Sequence, residues 1–354
     1  PTRSGQFALP NAWPLPRATQ LTVSVTDTDV LAVMGQSDQI FATFGMIQGS
    51  TPFGGATSGA RLVSLDRATG KEKWVASTRT LPQEHAALRN LEITGTPLAI
   101  GDHVYVGARG GNGAQFEDCY VLCFDRAKGT LVWSCYVASA SSGANPWDGG
   151  VSINSTTPLL SYAGGRLYVL SNLGATAAID AYTGSVAWLH LYPRDPTNNP
   201  GMNNFAVRAR FGRLPDGSAT STTTKPWVHN PPVLRDGKLF VLPTDGKFLI
   251  VYDAGTGAEL KRVDLAHFDN ARELIGVVGD KLILGSDDQI WCLRWTDYNP
   301  TTFKGMDDDC IEWMTTPGER RGRAFVTDES VVVSTDRLLS RIDLRRGRVV
   351  QNYP

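Results

Sequence analysis

The chain has 354 residues, 42% of them hydrophobic and 19% charged, which is enough apolar content for a large core and excludes general disorder. Its formal net charge is −1, so it lacks the overall field expected of a nucleic-acid-binding protein. No run nears the roughly 18 apolar residues of a membrane-spanning helix, and the sequence opens at Pro1 without a signal-peptide pattern, as expected of a processed mature protein or a piece of a longer one.

The predicted elements are strands, grouped in six units near 20–79, 95–138, 156–192, 229–266, 273–316 and 323–353. The first unit joins Leu21–Val33 to a hairpin at Arg61–Trp74 across an expanded Gly/Ser/Thr-rich stretch, Gln36–Ala60. A short helix is predicted over Leu81–Leu91. The second unit combines Thr96–Gly107 with Tyr120–Trp133. Between them Gly107–Gly113 reads as a strand-connecting loop, because it has neither Walker spacing nor a following helix. The third unit runs through Thr157–Leu170 and Ala177–Trp188, and an insertion from Pro193 to Trp227 follows. The fourth pairs Pro231–Leu242 with Leu249–Lys261. The fifth pairs Ile275–Leu284 with an eroded hairpin, Ile290–Arg294 and Cys310–Trp313, split by a second insertion, Thr296–Asp309. Ala324–Ser334 and Ser340–Gln351 complete the sixth.

The second half of each unit repeats one pattern. Asp66, Asp125 and Asp180 are each followed four residues later by Gly70, Gly129 and Gly184, and four after that by Trp74, Trp133 and Trp188. Asp253 and Gly257 keep the spacing with Lys261 in the third place, and Asp343 and Gly347 do so with Gln351. Such a unit is a β-hairpin. The Asp carboxylate accepts from turn amides, Gly supplies positive φ, and Trp is large enough to bury against a neighbouring sheet. Four antiparallel strands without helical period make one blade of an all-β propeller. Residues 1–354 therefore read as a single propeller domain with six blades, or seven to eight if it belongs to a longer protein.

These residues resemble the pyrroloquinoline-quinone (PQQ) repeat of the quinoprotein alcohol dehydrogenases and of the non-enzymatic outer-membrane assembly factor BamB. The resemblance implies a propeller and leaves the activity open, because the repeat residues build blades. A dehydrogenase of that family would carry adjacent cysteines over the quinone, a stacking Trp and a Glu/Asn/Asp calcium site, and often a c-type haem. This chain has no adjacent cysteines and no Cys-x-x-Cys-His, and four of its nine Trp residues, Trp74, Trp133, Trp188 and Trp313, fall at repeat positions. PQQ and calcium are thus not expected.

Other candidates for chemistry have structural readings. His85, His103, His190, His229 and His267 show no metal-ligand spacing. Asp307, Asp308 and Asp309 with Glu312 form the one dense acidic run, of the right chemistry for Ca²⁺ but without the EF-hand pattern, and are expected at a solvated loop tip. Glu319–Arg323, with Arg208, Arg210 and Arg213, offers guanidinium forks suited to carboxylate or phosphate, and is expected as solvated loop charge. The two insertions are where particular function is expected, since loops are the variable part of a rigid ring.

Five cysteines give a clue to compartment. Cys119 and Cys135 fall opposite or diagonal in the second hairpin, and Cys292 and Cys310 flank the eroded one, so two disulfides can form if the paired side chains face the same way, with Cys123 left as a buried thiol; the alternative is five buried thiols. The resemblance is to a family chiefly periplasmic or secreted, which favours an oxidising compartment. The sequence therefore points to a non-catalytic scaffold acting outside the cytoplasm on a protein partner or on other domains of a longer parent chain. The alternatives are a quinoprotein oxidoreductase or redox-complex subunit, and carbohydrate or small-ligand binding in the central funnel.

Overall fold

Alternating apolar and polar residues, broken by Asp-x-x-x-Gly turns, produce antiparallel hairpins throughout the chain. The computed structural model describes residues 23–34, 59–112, 116–141, 157–194, 230–318, 320, 322–335 and 337–353. Its strands form six four-stranded antiparallel sheets, each built from four strands consecutive in sequence. The sheets span 24–76, 92–141, 159–191, 233–264, 273–315 and 325–353 and are called blades 1 to 6. The predicted short helix is present as a 3-10 helix, Gln83–Leu88, preceded by a single turn at Thr78–Thr80. No helix among the described residues is long and apolar enough to cross a membrane.

The turns form as their chemistry requires. Asp66 Oδ1 accepts from the Thr69 amide at 2.8 Å and its hydroxyl at 2.7 Å. Asp125 accepts from Ala127 and Lys128, Asp180 from Tyr182 and Thr183, Asp253 from Thr256, and Asp343 from Arg345 and Arg346. Bonds from Thr69 lower the pKa of Asp66, and bonds from Thr183 and Thr256 do the same for Asp180 and Asp253. Gly70, Gly129, Gly184, Gly257 and Gly347 all adopt φ between 65° and 77°.

Those glycines have a second role. A Cβ on Gly129 would lie 2.5 Å from the Trp74 ring, one on Gly184 2.8 Å from Trp133, one on Gly257 2.6 Å from Trp188, and one on Gly347 2.6 Å from Trp313. Each indole thus lies flush on the turn of the following blade. Its N–H is satisfied there: Trp74 donates to the carbonyl of Arg126 at 2.8 Å, Trp133 to Ala181 at 3.2 Å, Trp188 to Ala254 at 3.1 Å and Trp313 to Leu344 at 2.8 Å. Tyr105 and Tyr168 add hydroxyl bonds to the Ala181 and Ala254 carbonyls. The fourth joint differs on both sides. Blade 4 carries Lys261 where blades 1, 2, 3 and 5 carry Trp, blade 5 has no Gly turn to receive one, and Lys261 Nζ instead reaches the Thr296 carbonyl at 2.9 Å.

Five apolar clusters lie between the six blades, one per joint. In the first, Leu31, Leu62 and Trp74 of blade 1 meet Val104, Leu122 and Phe124 of blade 2. In the last, Ile283, Cys292 and Trp313 of blade 5 meet Val331 and Ile342 of blade 6. An ion pair reinforces the first joint at the turn end. Asp29, only 1% exposed, accepts from Lys73 of its own blade and from Arg126 Nε of blade 2 at 2.8 Å. Burial alone would raise the Asp29 pKa, but the bonds from Lys73, Arg126 and Thr28 overcome it and hold the carboxyl at about 2.

The cysteines correct the sequence expectation, for all five are buried thiols. Cys135 lies opposite Val121, so Cys119 is its diagonal neighbour. Diagonal partners sit about 7–8 Å apart, beyond the reach of a disulfide. Cys292 packs into the cluster between blades 5 and 6, whereas Cys310 packs between blades 4 and 5, so the two lie on opposite faces of one sheet. Burial raises Cys123, Cys292 and Cys310 to about 12.

Two expectations follow. Gly164 has φ +56 with nothing described within 4 Å of a built Cβ, so Gly164→Ala carries only the left-handed backbone penalty of about 1–2 kcal/mol. Gly184→Ala also displaces Trp133, and its loss in urea unfolding should exceed that of Gly164→Ala by about 1–3 kcal/mol; equal losses would contradict the seating role. Because Asp29 is held below its ordinary 3.8, its contribution is present above that value and is lost as pH falls toward about 2. Thermal melts from pH 6 to 2 should show wild type more stable than Asp29→Asn at the upper end, with the gap closing over that window.

Candidate functional site

The Asp–Gly turns all lie at one end of the blades. The strand ends that flank the long connections lie at the other, because Met34 pairs with Arg61, Phe116 with Ser141, and Leu191 with Ala175 remote from the turns. The connecting segments 35–58, 142–156 and 195–229 all join strands at this second end. Loops on a rigid scaffold are where recognition residues concentrate, which makes this end the candidate binding face.

The polar side chains described at this end form three networks. In blade 2, Arg109, 7% exposed, bonds Glu92 at 3.2 Å and lies 3.8 Å from Glu117. Between blades 3 and 4, Tyr192 donates to Asp245 Oδ1 and Arg194 Nε to Asp245 Oδ2, both at 2.8 Å. Burial first, then the Asp245 charge, pushes the Tyr192 phenol well above its usual range. Nearby, the Thr244 amide donates to Asn172 of blade 3. The third network ties blades 4, 5 and 6. Asn230 receives the Leu274 amide and donates to the Arg272 carbonyl at 2.9 Å. Glu273 and Arg320, 1% and 2% exposed at their side chains, pair at 2.7 Å, and the second Glu273 oxygen takes the Ala324 amide at 2.8 Å. Arg323 donates to Asn230 and to the Leu274 carbonyl. Its burial lowers the guanidinium pKa, against the pull of Glu273.

Arg320 is therefore a buried fastener and Arg323 a half-buried one, not the solvated charges the sequence suggested. Side chains 47 positions apart make the Arg320–Glu273 pair, and nothing in either local sequence announces it. Glu319, Arg321, Arg208, Arg210, Arg213 and His229 lie outside the described residues. A cleft of about 440 Å³ opens between blades 1 and 2 at this end, lined by Thr78, Arg79, Arg89, Asn90 and Glu92 among others.

The second insertion is also corrected. Residues 296–309 run along the outer strand of blade 4, Glu259–Asp264, and pack onto it. Tyr298 is fully buried; its hydroxyl takes the Asp264 amide at 3.1 Å and meets His267 Nδ1 at 2.8 Å. Phe303 stacks on His267 at 4.6 Å between centroids. The segment covers an edge strand that would otherwise be exposed, a structural role. Of the other described histidines, His103 packs by Tyr105 and Tyr182, His190 by Trp188 and Tyr252, and His85 lies in the 3-10 helix.

The acidic run is already committed. Glu312 binds Lys281 and Arg294, at 2.8 and 2.6 Å, and Asp308 accepts from the Lys304 and Cys310 amides. Among the described residues no three His, Cys, Asp or Glu side chains converge as metal ligands. With the five cysteines also dispersed through the clusters, these residues do not fit a quinone and its calcium, and no step is derived through them.

Six four-stranded blades locked by indole-on-glycine contacts define a β-propeller of PQQ-type repeats. The family model described as outer membrane protein assembly factor BamB matches residues 11–188 and 117–260, and the chain belongs to that family. The fold is similar to the crystal structure of BamB from Moraxella catarrhalis, at 16% identity and TM-score 0.50 over 83% of this chain and 70% of that one. It is also similar to a europium-containing methanol dehydrogenase, at 14% identity and TM-score 0.51 over 94% and 68% of the two chains. Quinohemoprotein alcohol dehydrogenase from Comamonas testosteroni gives 14% and 0.51 over 94% and 58%. No curated protein sequence matched.

The buried pair gives a test of the fastening role. Arg320→Leu leaves the Glu273 carboxylate uncompensated and should cost about 3–5 kcal/mol in chemical unfolding, while the double variant with Glu273→Leu should recover most of that. A single variant as stable as wild type would remove the pair from the architecture.

Proposed function

We propose that this propeller is a non-catalytic interaction module working outside the cytoplasm, with a protein as its partner and the loop-bearing end as its contact face. The observation that carries this reading is the division of labour at that end. Among the described residues the buried ionisable side chains there are paired, Asp245 and Glu273 across joints and Arg109 within blade 2, and the strands flanking 35–58, 142–156 and 195–229 end there. Membership in a family described by an outer membrane assembly factor supports it, as does the dispersal of the five thiols. The compartment follows from the family resemblance alone, because the buried thiols make no bridge that would speak for oxidising surroundings.

A quinoprotein oxidoreductase is the second reading, favoured by the likeness to methanol and alcohol dehydrogenases. The two are separated by incubating the purified chain with PQQ and CaCl₂, removing free quinone by gel filtration, and recording the absorbance and alcohol-dependent dye reduction. The expected result is colourless protein without turnover. Retained quinone with alcohol-dependent reduction would overturn the proposal.

A further inference from the structure

The connection from blade 1 to blade 2 crosses the first joint at the loop-bearing end. It leaves the strand Glu72–Ala76, turns through the 3-10 segments Thr78–Thr80 and Gln83–Leu88, and enters the strand Glu92–Ile100. Its residues wall the cleft of about 440 Å³ described above. The apolar part of the lining comes from Ala60 and Leu91, 2% and 8% exposed. The buried Thr78 hydroxyl is already bonded to the Leu91 carbonyl.

The charges at this cleft are not balanced. Elsewhere at the same end Arg109 meets Glu92, Arg194 meets Asp245 and Arg320 meets Glu273, each a carboxylate. Arg89 meets no carboxylate among the described residues. Its Nε and Nη2 both donate to one neutral oxygen, the Leu81 carbonyl, at 3.0 and 2.7 Å. Those bonds fix the half-buried guanidinium along one edge. The other edge, formed by the Nη1 hydrogens and the second hydrogen on Nη2, keeps the fork geometry that takes a carboxylate with two parallel bonds. Arg79 lines the same cleft and lies flat across the Gly59 backbone, where a Cβ would sit 2.6 Å from its Nε. Glu92, the acid in the lining, is drawn to Arg109, which also lies 3.8 Å from Glu117. The guanidiniums of Arg79, Arg89 and Arg109 against the carboxylates of Glu92 and Glu117 leave a single positive charge. One carboxylate cancels it, whereas a phosphate of about −1.5 to −2 overshoots it and faces Glu92.

We propose that this cleft seats a glutamate side chain from an acidic segment of the protein partner, its carboxylate on the outer edge of the Arg89 fork in the positive field of Arg79. Glutamate has two methylenes to lay against Ala60 and Leu91, where aspartate has one. The cleft opens at the end already assigned as the contact face. The inference rests on the interaction-module reading and names the partner's chemistry.

The test uses the full chain produced in its native host with Asn90→benzoylphenylalanine, an exposed position in the cleft lining. After irradiation the cross-linked peptide is sequenced by mass spectrometry. The expected peptide comes from another protein and carries Glu beside the attachment point. Arg89→Gln should lower the yield roughly tenfold, the loss of one charge-assisted bidentate contact, with an unchanged melting temperature. If Arg89→Gln melts lower because the Leu81 bonds are lost, Arg79→Gln supplies the comparison on an exposed side chain remote from them. A peptide without Glu, a phosphopeptide, a lipid or nucleic-acid adduct, attachment only within this chain, no cross-link, or an unchanged yield in the folded variant would overturn the seat. A partner captured through a peptide without Glu leaves the interaction module standing, while retained quinone with turnover removes that reading, so the two failures are distinguishable.

Discussion

The arrangement depends on an indole lying against a backbone that has no side chain. Trp74, Trp133, Trp188 and Trp313 each need a neighbour flat enough to receive a ring and a carbonyl placed to take its N–H. A Gly in the left-handed region provides both, since the same φ that closes the hairpin exposes the peptide beside it. Apolar area alone would let two sheets slide over one another. The directional bond at each turn sets one register, and the clusters between blades then pack in that register.

The other end of the blades is fastened by different chemistry. Charged and amide side chains there are buried and reach across joints: Asn230 to blade 5, Glu273 to the stretch leading into blade 6, Arg194 to Asp245. Buried ions are tolerated only when paired, and each of these is. Indole-bearing turns at one end and polar clasps at the other thus hold blades 3 to 6 at two points each.

Much of this was legible in the sequence. The Asp–Gly–Trp spacing identifies the hairpins and gives six sheets with their strands in chain order. What it could not convey was direction across joints. Gly129 reads locally as a residue chosen for φ, and only the packed neighbour reveals that Trp74, from another blade, requires it. The substitutions did hold a signal, since Lys261 replaces Trp just where the next blade has lost its Gly turn. The disulfides failed as an expectation because spacing cannot tell which face of a strand a thiol occupies, as Cys292 and Cys310 show. The aromatic content of 296–309, Tyr298 and Phe303, was the available hint that this insertion packs instead of projecting. Arg320 and Glu273 had no hint at all.

Since donor and receiver always sit on different blades, the contact is heterologous, head to tail along the series. A lineage could therefore duplicate or lose an ordinary blade and leave every surviving joint matched, for any Trp blade can precede any Gly blade. Among the five joints, the one into blade 5 breaks this interchangeability: its widened hairpin accepts the Lys261 ammonium group in place of an indole. That joint fixes the order of its two neighbours and marks a point where growth of such a ring by tandem copying would stall.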